Sequence, residues 1–238
     1  MTSSPTAIIT GASRGLGLAL ARRLAADGWR LLITARAAGP LAAAAAELAE
    51  LTEVTALPGD VSDPGHRAQI AAAAAAWGGA DALVNNASIL GPSPQPGLLD
   101  YPLDTLEQVF RTNALAPLAL IQALRGSLAA GARIVNISSD AGVEAYEGWG
   151  GYGASKAALE QLSAVLAAEQ PAWRVYWVDP GDMRTQMHQE AFPGEDISDR
   201  PEPETSVPGL LALLAGDLPS GRYAARALAA EPALAQGA

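Results

Sequence analysis

Short apolar runs alternate with segments of helical spacing along almost the whole chain. That alternation restricts the fold more than any other feature. Residues 7–9, 30–34, 53–57, 80–84, 133–137 and 175–178 read as strands, and 221–223 as a last short one. Between them, residues 16–26, 41–51, a segment capped by Ser62 and running to about Trp77, 103–128, 152–168 and 206–215 read as helices. Pro117 is expected to kink or split the fourth of these. Strands that alternate with helices need crossover connections, so the sheet is parallel and helices cover both of its faces. No linker or internal repeat interrupts the pattern, and one α/β domain over residues 1–238 is expected.

Composition removes several function classes. Half of the residues are hydrophobic, which excludes a disordered chain. A net charge of -10 argues against a nucleic-acid or anionic-membrane partner, either of which calls for a basic surface. There is no Cys, hence no disulfide framework and no thiolate metal site. His66 and His188 are the only histidines, too few for an all-His metal site, and no metal is expected. The N-terminus carries no basic-then-apolar leader, and no uninterrupted apolar run reaches about 18 residues. These readings give an expected cytoplasmic location.

In doubly wound sheets ligands bind beyond the carboxyl ends of the strands. The first strand ends in Gly11-Ala-Ser13-Arg14-Gly15-Leu16-Gly17. Glycines between a strand and a helix let the backbone approach a pyrophosphate at a helix N-terminus. Near the second strand's end, a site for NAD(H) would usually carry an acid for the ribose hydroxyls. Here Ala35 and Arg36 stand instead. Arg36 and Arg14 suit a 2′-phosphate clamp, which favours NADP(H) over NAD(H); the alternative is two exposed surface arginines. Asp60 and Val61 follow the third strand. Asp60 serves either to meet the adenine or as a plain helix-start acid. Asn86 and Ala87, after the fourth strand, brace the loop and leave room for a ribose. Pro180, Gly181 and Thr185, after the sixth, are placed to hold a carboxamide.

Tyr152 and Lys156 stand at i and i+4 and share one helix face. A phenol can give a proton to a carbonyl oxygen, and a neighbouring ammonium is expected to lower its pKa. Ser139, at the end of the fifth strand, can converge with Tyr152 on the same oxygen; the competing reading of Ser138-Ser139 is turn chemistry.

With these residues in view the chain resembles the short-chain dehydrogenase/reductase family. The motifs are Thr-Gly-x-x-x-Gly-x-Gly at 10–17, Asn-Asn-Ala at 85–87, Asn113, Ser139, Tyr152, Lys156 and Pro180-Gly181. The resemblance implies a three-layer Rossmann fold with a seven-stranded parallel sheet. It also implies NADP(H)-dependent interconversion of a carbonyl, ketone or aldehyde, and an alcohol. Tyr152 would be the general acid/base, and Lys156 would lower its pKa and bind the nicotinamide ribose. Ser139 would polarise the substrate oxygen, and Asn113 would hold a water linking Lys156 to solvent. A homodimer or homotetramer is implied as well. Where the family has Asn-Asn-Ala-Gly this chain has Ser88, and a slight rearrangement near the cofactor is expected.

The substrate, a small carbonyl or alcohol compound, is expected between two segments. One carries Asp140, Tyr146 and Trp149; the other, a loop at about 182–205, carries Met183, Met187, His188 and Phe192. Aromatic and thioether groups there suit an apolar or aromatic molecule. The alternative is a catalytically silent NADP-sensing regulator on the same fold.

Overall fold

The computed structural model describes residues 4–230. The chain runs β1 (Thr6–Thr10), α1 (Gly15–Ala26), β2 (Arg30–Ala35), α2 (Ala38–Leu48), β3 (Val54–Pro58), α3 (Pro64–Ala76) and β4 (Ala80–Asn85). It continues with α4 (Leu103–Phe110), a π turn (Arg111–Leu115), α5 (Ala116–Leu124), β5 (Leu128–Ile137), α6 (Gly150–Glu169) and β6 (Arg174–Asp179). The last part holds α7 (Gln186–Ala191), α8 (Val207–Ala215), β7 (Gly221–Ala224) and α9 (Ala225–Ala230).

The strands form one seven-stranded sheet in the order β3-β2-β1-β4-β5-β6-β7, with every pair parallel. Alternate residues of each strand point to opposite faces. Ala7 and Ile9, Leu31 and Ile33, and Ala82 and Val84 therefore pack on one side against Leu20 and Leu24 of α1, Leu41 of α2 and Leu210 of α8. Ile8, Leu32, Leu83, Ile134 and Val175 pack on the other side against Ile70 of α3 and Leu120 and Leu124 of α5. The two apolar layers are the expected three-layer Rossmann architecture.

Several boundaries differ from the sequence reading. The cap of α3 is Asp63, whose carboxylate accepts from Gly65 N–H at 3.0 Å; Ser62 instead donates to Asp60. The helix expected over 103–128 is interrupted by the π turn and stops at Leu124. Pro117 has no N–H to give the Asn113 carbonyl four residues back, so the ladder slips to five-residue spacing, with Ala116 N–H reaching Arg111 O. Residues 128–132, read as the end of that helix and the link to the next strand, open β5 instead. Inside the 182–205 segment, Gln186–Ala191 forms α7.

Candidate active site

The strand order reverses between β1 and β4, and in such sheets the reversal opens a crevice. A cleft of about 1020 Å³ lies there. Its floor begins with the turn after β1. Gly11 and Gly15 hold φ of 68° and 56°, backbone that favours glycine. A side chain at Gly11 would also come within 2.8 Å of Asn86 Nδ2. Asn86 Nδ2 donates to the carbonyls of Thr10 and Gly11 at 2.9 and 3.1 Å. Thr10 Oγ1 accepts from Asn86 and Ala87 N–H, both at 3.0 Å. Helix α1 starts at Gly15 with no side-chain cap, so its first-turn amides remain available to an anion.

Ser13, Arg14, Gly15 and Leu16 line the cleft. Gly17 packs beneath the turn: a Cβ there would sit 2.5 Å from Gly11 O. Ala35, Arg36, Asp60 and Val61 line the far end. β2 ends on Ala35 with no carboxylate, and Arg36 after it is exposed. Arg14 is bonded to Gln186, and Arg22, also in the cleft wall, to Glu47. Burial pushes the Asp60 carboxyl up, yet hydrogen bonds from Ser62 N–H and Oγ and the nearby Arg36 charge outweigh it. The group is held below its ordinary value. Pro180 and Thr185 reach the cleft from beyond β6, and Thr185 Oγ1 also caps α7 by accepting from His188 N–H. Gly181 holds its turn at φ 74° and donates to Asp179.

At the other end stand Tyr152, in the first turn of α6, and Lys156 one turn on. Leu90 and Ala141 pack with Tyr152, and Trp149 meets its ring edge-on with centroids 5.8 Å apart. Lys156 is 2% exposed; its Nζ donates to Ile137 O at 2.7 Å and lies 5.3 Å from the Tyr152 ring centroid. Burial pushes the Lys156 ammonium down to about 7, with the Glu160 charge opposing. Burial likewise pushes the Tyr152 phenol above its ordinary value, helped by the charges of Asp140 and Asp179 and opposed by the Ser139 and Ser88 hydroxyls. Desolvation thus dominates both groups.

Ser139 Oγ donates to Asp140 Oδ1 at 2.8 Å and accepts from Ala141 N–H. Asn113, on the π turn, is 1% exposed. Its Nδ2 donates to Ile89 O at 2.8 Å and Ser155 Oγ at 3.0 Å, and its Oδ1 accepts from Ile89 N–H at 2.9 Å. The side chain thus joins the 86–90 loop to α6, with both amide hydrogens used on protein groups.

The expected substrate residues divide into two sets. Met183 and Met187 line the cleft, and Trp149 and Met187 pack on the cluster around Tyr152. Phe192 meets Trp149 at 5.8 Å and His188 at 4.9 Å, so both extend the wall behind Trp149. His188 Nε2 accepts from Arg200 Nε at 3.3 Å, and burial lowers its pKa. Tyr146 is 42% exposed and its hydroxyl is bonded to Glu144, with Asp140 also in reach. The sequence reading placed Ser88 near the cofactor but missed residues 89–92, which line the same cleft, with Leu90 packed on Tyr152. Their signal was Ser88, the one departure from the Asn-Asn-Ala-Gly pattern. Among the described residues, no helix is long and apolar enough to cross a membrane.

A doubly wound sheet with a glycine turn at its switch point and a Tyr/Lys pair facing the same cleft defines a Rossmann-type oxidoreductase. The chain belongs to the short-chain dehydrogenase family, whose model matches residues 5–196. A rhamnolipid-biosynthesis 3-oxoacyl-[acyl-carrier-protein] reductase of Pseudomonas aeruginosa is 39% identical over 171 residues, 68% of this chain and 66% of that one. The 1-deoxy-11-beta-hydroxypentalenate dehydrogenase of Streptomyces arenae is 35% identical over 76% of this chain and 68% of its own length. The chain thus spans about two thirds of these curated relatives. Among solved structures, a short chain dehydrogenase from Pseudomonas syringae superposes with a TM-score of 0.87 at 30% identity, covering 93% of this chain and 94% of that one. Another from Escherichia coli CFT073, complexed with NADPH, gives 0.85 at 29% identity over 93% and 96%.

Proposed function

We propose that the protein is an NADP(H)-dependent reductase of a small ketone or aldehyde, working reversibly on the corresponding alcohol. The observation that carries this reading is the Tyr152 phenol on the wall of a cleft that the glycine turn shares. The residues present fit a dinucleotide: the uncapped start of α1 suits the pyrophosphate, and Arg36 beside Ala35 suits a 2′-phosphate. The NADPH-complexed neighbour supports the same choice. A bound reduced nicotinamide would supply the hydride.

The chain's own residues do the rest. Tyr152 donates its hydroxyl proton to the carbonyl oxygen as the carbonyl carbon gains hydride and the C=O π pair moves onto oxygen. The phenolate left behind draws Lys156 into its charged form, since a new anion beside a buried amine raises that amine's pKa. Leu90, Trp149 and Met187 exclude water around the phenol, which strengthens each electrostatic contact. Asn113 fixes the loop facing Tyr152. The apolar wall selects an apolar or aromatic carbonyl compound.

NADPH consumption against a panel of ketones, aldehydes and quinones tests the reading, with Tyr152→Phe as control. The expected result is turnover with at least one compound, reduced to background by the substitution while NADPH binds within a few-fold. Tight NADPH binding with no turnover anywhere in the panel would favour the silent sensor instead.

A further inference from the structure

The loop after β4 carries a hydroxyl to which the proposed mechanism gives no part. Ser88 Oγ is fully buried and has no hydrogen-bond partner. It belongs to the same cleft wall as Tyr152 and Lys156. Buried hydroxyls are ordinarily bonded, and one left without a partner carries a desolvation penalty. The backbone on both sides of it is pinned. Ala87 N–H donates to Thr10 Oγ1 at 3.0 Å, and Ile89 gives its N–H to, and accepts at its carbonyl from, the Asn113 amide at 2.9 and 2.8 Å. Ser88 is therefore held at a fixed place with a free donor. Ser139 has other partners already: its hydroxyl donates to Asp140 Oδ1 and accepts from Ala141 N–H.

We propose that Ser88 is a further catalytic residue, whose hydroxyl donates to the substrate carbonyl oxygen alongside Tyr152. The inference rests on the carbonyl-reductase reading. As negative charge collects on the oxygen during hydride transfer, a pre-placed donor stabilises it without reorganisation. Ser88 keeps its proton throughout; the proton that leaves for the product alcohol comes from Tyr152. The Ser88 hydroxyl, like that of Ser139, opposes the upward push on the phenol, so both stand near the Tyr152 oxygen.

The test is Ser88→Ala, which removes one oxygen and leaves Cβ in place. With NADPH and the best carbonyl compound of the panel, kcat is expected to fall about 100-fold, the scale of a lost oxyanion donor. NADPH affinity, read by nucleotide fluorescence, is expected to stay within about twofold. A second readout needs no turnover. In ligand-free protein with 3-fluorotyrosine at position 152, the ¹⁹F titration of the ring is expected to move to higher pH in the Ser88→Ala background. Unchanged kcat, an unmoved ¹⁹F titration, or a loss of NADPH affinity matching the loss of kcat would each overturn the assignment. If wild-type protein reduces nothing in the panel, the carbonyl reading itself fails, and Ser88 falls as a catalytic donor with it. The ¹⁹F arm then still separates a hydroxyl at the phenol from one that merely packs the loop.

Discussion

The Lys156 ammonium donates to the Ile137 carbonyl at 2.7 Å, at the end of the strand that leads to Ser139. One bond thus ties the helix bearing Tyr152 to the end of β5, two residues before Ser139. The ammonium is almost wholly buried, and that burial has a thermodynamic consequence.

A lysine pushed down to about 7 in the fold releases its proton there, whereas in the unfolded chain it holds it to about 10.5. Between those values the unfolded state binds more protons, so this group makes stability rise with pH. Thermal melts of wild type and Lys156→Met from pH 7 to 10 are expected to differ by an amount that grows in favour of wild type. A pH-independent difference would show that the ammonium is not desolvated as described.

Arg36→Asp places a carboxylate just past β2 and removes the exposed guanidinium at that end of the cleft. The ratio of kcat/KM for NADPH over NADH is expected to fall by about tenfold or more, the scale of a charged hydrogen bond. An unchanged ratio would make Arg36 a surface charge with no part in coenzyme choice.

Asn113→Ala strands the half-buried Ile89 N–H and carbonyl, while the Ser155 hydroxyl loses a donor and keeps its bond to Tyr152 O. A stability loss of at least about 2 kcal/mol is expected from those groups. Urea unfolding at unchanged m-value measures it. A loss under about 0.5 kcal/mol would mean that the loop is anchored elsewhere.

Gly17→Ala drives a methyl into Gly11 O and Asn86 Nδ2, at 2.5 and 2.6 Å. Backbone on one side and a doubly engaged amide on the other leave no room to yield. A cost of about 1–3 kcal/mol is expected, together with weakened NADPH binding, since the displaced carbonyl belongs to the turn itself. Calorimetry and fluorescence titration read the two effects separately.

The central strands were legible because burial on both faces writes them as apolar runs, as at residues 7–9 and 80–84. The glycine turn and the Tyr152/Lys156 spacing were legible because each is local. Residues 128–132 were not: Leu-Ala-Ala-Gly-Ala has the composition of a helix end. Those residues become strand because Leu128 pairs with Ala80, whose N–H is taken by Ser127 O at 2.7 Å. The π turn was hidden for a related reason. Pro117 announces a break, but only the docking of Asn113 on Ile89 and Ser155 decides which carbonyls give up their partners. Ranking Trp149, Phe192, Tyr146 and His188 required the path of two loops, and aromatic content alone does not set that path.

The amide of Asn86 that holds the Gly11 carbonyl stands 75 positions further along the chain. Nothing in the turn's own neighbourhood supplies that hydrogen bond. The turn is therefore braced only once β4 has paired with β1. The geometry of the turn thus reports that the middle of the sheet has closed.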